Sequence, residues 1–246
     1  KAEALFDGLI GLREVRDSIE LLQATIQIAV DRNQPPPAMG SYLFVGPPGT
    51  GKTTVARLFG HLLYGLGVAY KPDVVERTGA ELKAGYLGQT APRVRSIFAQ
   101  ARGGVLFLDE AYALTDTSGQ DTYAREAIAT LIAELTSPEN TNTTVVLAGY
   151  EDEMDEFMRS NPGLGRRFET IRFESFGPDE CLEVARRLTA AKGLTLPPEF
   201  EQLFELEATR ASSSPHFGNA GWASGVIEPY PTDSCETPEL IGTWLG

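Results

Sequence analysis

The chain has only two cysteines among its 246 residues, Cys181 and Cys235. They lie far apart, and their spacing fits neither a disulfide framework nor a metal-ligand cluster, as is usual for proteins in a reducing compartment. No apolar run approaches the roughly 18–20 residues that a membrane-spanning helix needs. No basic segment followed by an apolar stretch opens the sequence either. These absences predict a cytoplasmic protein that is not inserted in a membrane.

Positive charge is also scarce. Lysine and arginine number 21 against 34 aspartates and glutamates, which gives a formal net charge of −13. An acidic field repels the phosphate backbone, and nucleic-acid-binding domains usually carry a basic patch or stripe. We therefore expect no nucleic-acid partner. The 42% apolar and 22% charged residues are typical of a globular protein, and the length suits a large domain with a smaller one attached.

Short apolar runs alternate with helical patterns over the first 175 residues. Strands are predicted in SYLFVG, DVVERTG, GVLFLDE, NTTVVLAGY and IRFESF. Helices are predicted from Leu12 to the QPPPAMG segment, from Lys52 to Tyr64, and over 91–102, 122–135 and 152–159. This alternation predicts an α/β domain over residues 1–175, with a mainly parallel five-stranded sheet flanked by helices.

The strand pattern stops after residue 175, and helical patterns continue. Pro178 is well placed as the first residue of a helix that runs to about Ala191, and residues 197–210 form a second helical pattern. These patterns predict a small helical domain over 176–246.

The segment GPPGTGKT, between a predicted strand and a predicted helix, satisfies the Walker A pattern. Its glycines allow backbone N–H groups to surround a β-phosphate at the positive end of a helix. Lys52 is expected to reach the β- and γ-phosphates, and the Thr53 hydroxyl to bind Mg²⁺. The alternative is a glycine-rich turn with an incidental lysine. The nucleotide-binding candidates are Gly46, Pro47, Pro48, Gly49, Thr50, Gly51, Lys52, Thr53 and Thr54.

The apolar run VLFLDE ends in two acids at the carboxyl end of a predicted strand, the edge where α/β sheets place their ligands. Asp109 is expected to hold Mg²⁺ through a water molecule, and Glu110 to orient and polarise the attacking water. The alternative is a solvated strand end. With the Walker A segment, the pair predicts hydrolysis of ATP with Mg²⁺ as the cofactor.

Phosphoryl transfer also needs positive charge near the departing γ-phosphate, and a neighbouring subunit often supplies an arginine for this purpose. The segment NPGLGRRF offers Arg167 as the first candidate and Arg166 as the second. The alternative is a solvated surface pair.

The segment AGYLGQTAP places Tyr86 and Leu87 between two glycines, just before a predicted helix. One interpretation buries both side chains as anchors of the loop, which is the usual position of isolated apolar residues. The other leaves them exposed for contact with a partner.

The order of these motifs resembles the AAA+ ATPases, and in particular the CbbX/CfxQ group with its SpoVK-like and EccA-like members. The resemblance covers about residues 5–220 and rests on LIGLREVRDSI, GPPGTGKTT, GYLGQTAPRV, GGVLFLDEAYAL, YAREAI, VVLAGYEDEM and SNPGLGRRF. It implies an α/β nucleotide-binding domain and a helical lid, assembled into a hexameric ring with ATP between subunits.

The same resemblance assigns further residues. Leu9, Ile10 and Gly11 match the segment that lies against adenine, and Tyr86, Leu87 and Gly88 match a pore loop that grips a protein client. Residues 115–120 match the position of a second pore loop.

The chain departs from the resemblance at two positions. Tyr150 stands where many AAA+ proteins have an asparagine that senses the γ-phosphate, a feature that the CbbX group shares. Gly221, in FGNAG, stands where relatives have a lid arginine that touches the nucleotide. Glycine favours a helix break, and Pro229, Pro231 and Pro238 follow, so we expect an irregular chain from about residue 221 and weak hydrolysis.

The resemblance favours an ATP-driven protein-remodelling motor, with Rubisco activation as one job of this group. The alternatives are a nucleotide-gated scaffold that hydrolyses ATP poorly, an EccA-like component of a type VII secretion system, and a DNA-acting AAA+ protein. The acidic charge and the GYLG segment argue against the last of these. The sequence does not identify the client.

Overall fold

The computed structural model describes residues 9–34, 40–86, 88–116, 120–214 and 217–227. These residues form two compact units. The first unit contains the described residues up to Gly46 and those from Gly51 to Phe173. The second contains Pro47–Thr50 and the described residues from Glu174 onward. Some residues named in the sequence predictions lie outside the described ranges: Leu87, 117–119, Pro229, Pro231, Cys235 and Pro238.

The first unit is built on five parallel strands. They are β1 (Ser41–Val45), β2 (Val74–Thr78), β3 (Val105–Asp109), β4 (Thr144–Gly149) and β5 (Phe168–Arg172). Their order in the sheet is β2-β3-β4-β1-β5. All neighbouring pairs are parallel, with Ser41 opposite both Val145 and Phe168. The predicted α/β fold with a five-stranded sheet is therefore confirmed.

Helices connect the strands and continue into the second unit. They are α1 (Arg13–Asp31), α2 (Lys52–Gly65), α3 (Thr90–Ala101), α4 (Thr122–Leu135), α5 (Glu151–Ser160), α6 (Pro162–Gly165), α7 (Pro178–Ala191), α8 (Pro198–Ser212) and α9 (Ala220–Ile227). Local capping explains several of the boundaries. The Asp121 carboxylate accepts a hydrogen bond from Ala124 N at 2.9 Å, at the start of α4. The Glu180 carboxylate accepts one from Gly177 N at 2.8 Å, at the start of α7.

Strand side chains alternate between the two faces of the sheet. Both faces are buried because helices pack against each of them. On one face, the side chains of Leu43, Val45, Leu106, Leu108, Val145 and Leu147 share a core with residues of α3, α4 and α5. On the other face, Tyr42, Phe44, Val105, Phe107, Val146 and Ala148 share a core with residues of α1 and α2. Two buried layers fix the strand ends firmly, which matters because the candidate site lies at those ends.

The second unit has its own apolar core between α7, α8 and α9. The Trp222 ring of α9 lies against Phe204 and Phe217, with ring centroids 5.1 and 5.6 Å away. Ala223 and Ile227 are buried on the same helix.

This helix corrects one expectation. We predicted an irregular chain from about residue 221, and that is wrong for Gly221–Ile227, which is helical. A glycine inside a helix costs about 1 kcal/mol relative to alanine, and burial of Ala223 and Ile227 outweighs that cost. Residues 228–246 lie outside the described ranges. Within the described ranges, no helix combines the length and apolar character needed to cross a membrane.

Candidate active site

The Walker A segment begins where β1 ends. Gly46 N donates a hydrogen bond to Gly149 O at 3.2 Å, which joins the ends of β1 and β4. A β-carbon at position 46 would lie only 2.2 Å from the Phe173 carbonyl oxygen, so no other residue fits there. Gly51, directly before α2, has a φ of 91°, in the region that favours glycine. Both positions therefore need the glycines that the Walker A pattern supplies.

Lys52 is the first residue of α2, and its side chain folds back toward the strand end. Its Nζ donates to Gly46 O at 2.7 Å and lies 5.8 Å from the centroid of the Tyr150 ring. Burial lowers the pKa of the Lys52 ammonium below its ordinary value, and the negative charge of Asp109 acts in the opposite direction. The structure thus brings Lys52, Asp109 and Tyr150 together. Thr53 is half-buried and Thr54 is exposed on the same turn of α2.

The two acids follow β3 directly. Asp109 ends the strand, and its carboxylate accepts a hydrogen bond from Glu110 N at 2.9 Å. Glu110 is exposed, with φ 48° and ψ 44° in the left-handed region. A residue with a side chain pays roughly 1–2 kcal/mol for this conformation, and such strain clusters at functional sites. The turn is tight, since a β-carbon at position 79 would lie 2.6 Å from the Glu110 carbonyl oxygen.

Two tyrosines form a stacked pair beside this acid. The rings of Tyr112 and Tyr150 have centroids 5.7 Å apart and planes 26° apart. Burial, followed by the negative charge of Glu110, raises the pKa of Tyr112 to about 12. Tyr112 was not among the predicted site residues, although its position two residues after the acidic pair could have indicated it.

The middle of the Walker A segment, Pro47–Thr50, belongs to the second unit. The buried Thr50 hydroxyl donates to Pro47 O at 2.9 Å. Asn219 Nδ2 donates to Pro48 O at 2.9 Å, and Ala220 N donates to Gly49 O at 3.2 Å. Asn219 was also missed, although FGNAG had been singled out for its last glycine.

The two candidate arginines are not near Lys52. Arg166 and Arg167 are exposed and follow α6 directly. The Arg167 guanidinium donates to the Gly163 carbonyl. Both arginines precede Phe168, which is paired with Ser41 at the start of β1. They therefore lie at the amino-terminal edge of the sheet, about 13 Å along the strands from the carboxyl-terminal edge.

Leu9, Ile10 and Gly11 lie just before α1. Leu9 and Ile10 are half-buried, and Leu9 O accepts a hydrogen bond from Arg16 Nη2 at 2.7 Å. Gly11 has a φ of 66°. These contacts fix the backbone of the segment that the resemblance places against adenine.

The Tyr86 side chain is 73% exposed, so its burial as a core anchor is wrong. Gly88, with a φ of 78°, needs the freedom of glycine. Lys83, at the base of this loop, donates to Ala113 O at 2.9 Å and to the Asp121 carboxylate at 3.3 Å. The loop is thus held at its base while its tyrosine faces solvent.

Comparisons with known proteins agree with this geometry. The family model described as "ATPase family associated with various cellular activities (AAA)" matches residues 42–175. The ESX-1 secretion system protein EccA1 of Mycobacterium tuberculosis is 39% identical over 214 residues, which is 83% of this chain and 37% of that protein. The chloroplastic ribulose bisphosphate carboxylase/oxygenase activase of Cyanidioschyzon merolae is 36% identical over 219 residues, covering 86% of this chain and 74% of that protein. Protein CfxQ of Xanthobacter flavus is 36% identical over 221 residues, covering 88% and 69%. The chain therefore spans well under half the length of EccA1.

Proposed function

The chain belongs to the AAA family of ATPases, and on that premise we propose that it couples ATP hydrolysis to the remodelling of a protein client. The family match confirms the resemblance to AAA+ ATPases and the expectation of ATP hydrolysis. One observation carries the proposal: Lys52, Asp109 and the left-handed Glu110 turn lie together at the carboxyl edge of the sheet. Parallel α/β sheets bind their ligands at this edge.

Each residue has a role that its surroundings support. Lys52 is half-buried, which strengthens its attraction to the β- and γ-phosphates. It now donates to Gly46 O, a neutral acceptor, and a phosphate oxygen offers a stronger, charge-assisted bond in exchange. Glu110 is exposed at the strand end, where its carboxylate can orient the attacking water and accept its proton.

Thr53 and Asp109 offer a hydroxyl and a carboxylate oxygen, the ligand class that Mg²⁺ prefers, so this donor set fits the ion. When bound, Mg²⁺ neutralises charge that develops on the β- and γ-phosphates. The Asp109 carboxylate already accepts from Glu110 N at 2.9 Å, which orients it at the end of β3.

Assembly into a hexameric ring is part of the proposal. Arg166 and Arg167 lie at the opposite edge of the sheet from Lys52, so neither is placed to act on ATP bound to its own subunit. An arginine from the next subunit of a ring can reach that ATP instead. Exposure of Tyr86 supports its use as a pore-loop residue that grips an extended polypeptide.

The client is proposed by class. A relative is a Rubisco activase and another is a secretion system protein, so we propose a Rubisco-type client first and a secretion-system partner second. We place the protein in the cytoplasm on its composition alone.

A second candidate function is a scaffold that binds ATP and hydrolyses it poorly. Gly221 favours it, because this residue carries no charge toward a nucleotide. The complete pair of Asp109 and Glu110 argues against it.

Nucleotide binding and turnover distinguish the two. We expect Glu110→Gln to keep ATP affinity and to lower turnover by about 10²–10⁴-fold, because the base is lost and the metal ligand remains. Lys52→Ala should lose binding itself. Glu156→Gln, an exposed glutamate on α5, is the matched control and should behave as wild type. If Glu110→Gln hydrolyses ATP as fast as an active wild type, the motor as proposed is excluded. If wild type binds ATP but hydrolyses it as slowly as Glu110→Gln, the scaffold is favoured.

A further inference from the structure

Asn219 is fully buried in the second unit, and its amide group donates two hydrogen bonds and accepts one. Its Nδ2 donates to Pro48 O at 2.9 Å and to Phe217 O at 3.2 Å. Its Oδ1 accepts from Phe176 N at 2.6 Å. A buried asparagine with both donors and its acceptor satisfied is costly to replace. The three partners lie in the Walker A segment, before α7 and before α9.

The backbone at position 219 also restricts the residue type. Asn219 has a φ of 51°, and asparagine is among the few residues with a side chain that adopt this region readily. Glutamine is less suited to it and one methylene longer. Asparagine thus adopts this backbone conformation and also places its Nδ2 donor within hydrogen-bonding distance of Pro48 O.

A second bond extends the contact to the next Walker A residue. Ala220 N donates to Gly49 O at 3.2 Å. A β-carbon at position 49 would lie 2.1 Å from Gly218 O, and Gly49 has a φ of 71°. Two successive Walker A carbonyls, those of Pro48 and Gly49, are therefore held by residues 219–220.

These bonds determine where the N–H groups of the segment point. In a trans peptide, the C=O and the following N–H point in opposite directions. Because the Pro48 carbonyl points toward Asn219, the N–H of Gly49 points away from it. In the same way, the Gly49 carbonyl points toward Ala220 N, so the N–H of Thr50 points away from Ala220. Backbone N–H groups of this kind are what a Walker A segment offers to phosphate.

We propose that Asn219 is a positioning residue for nucleotide binding, whose side chain orients the Gly49 N–H group through the Pro48 carbonyl. This inference rests on the proposed function, since it assumes that ATP binds the Walker A segment. The same side chain holds Phe176 N, two residues before α7 begins at Pro178. Nucleotide binding is thereby linked to the packing of the second unit.

The test replaces the donor and keeps the shape. In Asn219→Asp, the carboxylate can still accept from Phe176 N and can adopt the left-handed backbone, but it cannot donate to Pro48 O. Binding of fluorescent N-methylanthraniloyl-ADP with Mg²⁺ to the full chain is measured by fluorescence anisotropy. We expect the affinity of Asn219→Asp to fall at least about tenfold near neutral pH.

Acidification separates positioning from general damage. Protonation gives the introduced carboxyl group a donor, and two facing carbonyl oxygens favour its protonated form. From about pH 8 to about pH 5, Asn219→Asp should therefore regain affinity relative to wild type. Asn219→Gly tolerates the backbone but lacks the side chain, so it should bind weakly throughout. Asn142→Asp, at a half-buried asparagine of the first unit, is the matched control and should follow wild type.

Each result decides the question. If wild type binds and Asn219→Asp binds equally at every pH, the positioning role is wrong and the proposed function stands. Weak binding by Asn219→Asp that does not recover on acidification overturns the donor role. If wild type itself does not bind the nucleotide, the proposed function and this inference both fail.

Discussion

Glu110→Gly is expected to stabilise the protein and to abolish ATP hydrolysis. Glu110 has φ 48° and ψ 44°, a left-handed conformation that glycine adopts without steric cost. Its side chain is exposed, so the substitution removes little buried surface. The same substitution removes the carboxylate that orients the attacking water.

The size of the stabilisation follows from two opposing terms. Relief of the left-handed conformation contributes roughly 1–2 kcal/mol. The additional freedom of glycine in the unfolded chain costs roughly 0.5–1 kcal/mol. The net gain is therefore up to about 1.5 kcal/mol, which corresponds to an increase in melting temperature of up to roughly 6 °C for a chain of this size.

Calorimetric melting and steady-state ATPase rates measure the two effects. Glu110→Gln keeps the backbone conformation, so it should lose hydrolysis at an unchanged melting temperature. Glu156→Gly lies inside α5 and should lose about 1 kcal/mol of stability, as glycine does in helices.

Two results would refute this reasoning. If Glu110→Gly lowers the melting temperature as much as Glu156→Gly does, position 110 carries no relievable strain. If Glu110→Gly turns over ATP at the wild-type rate, Glu110 does not orient the water.

Three further substitutions test the proposed contact with the client, the ring of subunits and the position of the missing lid arginine. Tyr86→Ala should change the unfolding free energy by less than about 1 kcal/mol, since the residue is 73% exposed, and it should abolish client remodelling. Tyr70→Ala, at a residue that is 72% exposed, is the control and should leave client remodelling intact. A loss of stability in Tyr86→Ala well above that limit would contradict the expectation that this exposed side chain contributes little to folding. Arg167→Ala subunits mixed with wild type should lower ATP hydrolysis non-linearly with the mutant fraction, more strongly than Arg166→Ala, and a linear fall would mean that subunits act alone. Gly221→Arg should raise nucleotide affinity up to about a hundredfold through a charge-assisted contact. Gly221→Ala is the control and should improve only the stability of the helix. Equal nucleotide affinities in the two variants would exclude the charge-assisted contact.

Local signals explain why much of the fold could be predicted. The bounds of α7, Pro178–Ala191, match the prediction because proline at the first helical turn and the Glu180 contact act within a few residues. The strand β3 and its two acids were predicted because an apolar run and its polar end are contiguous. The Walker A segment could be predicted for the same reason, because its glycines are close together in the sequence and form a single turn.

The expectation for residues 221–227 failed for the opposite reason. Glycine propensity and nearby prolines are local terms, while the α9 helix is stabilised by burial of Ala223 and Ile227 in a core shared with α7 and α8. Tertiary burial outweighs intrinsic propensity at such positions.

The class of chemistry can be predicted from short segments, because a phosphate-binding turn and an acidic strand end are each encoded in a few adjacent residues. Packing of the fold determines which distant residues support that chemistry. Asn219 and Pro48 are separated by 171 positions in the chain, yet their side chain and carbonyl are hydrogen-bonded. The candidate arginines lie at the far edge of the sheet because parallel pairing places Phe168 opposite Ser41. Such relations depend on how strands and helices pack, which no short segment of sequence specifies.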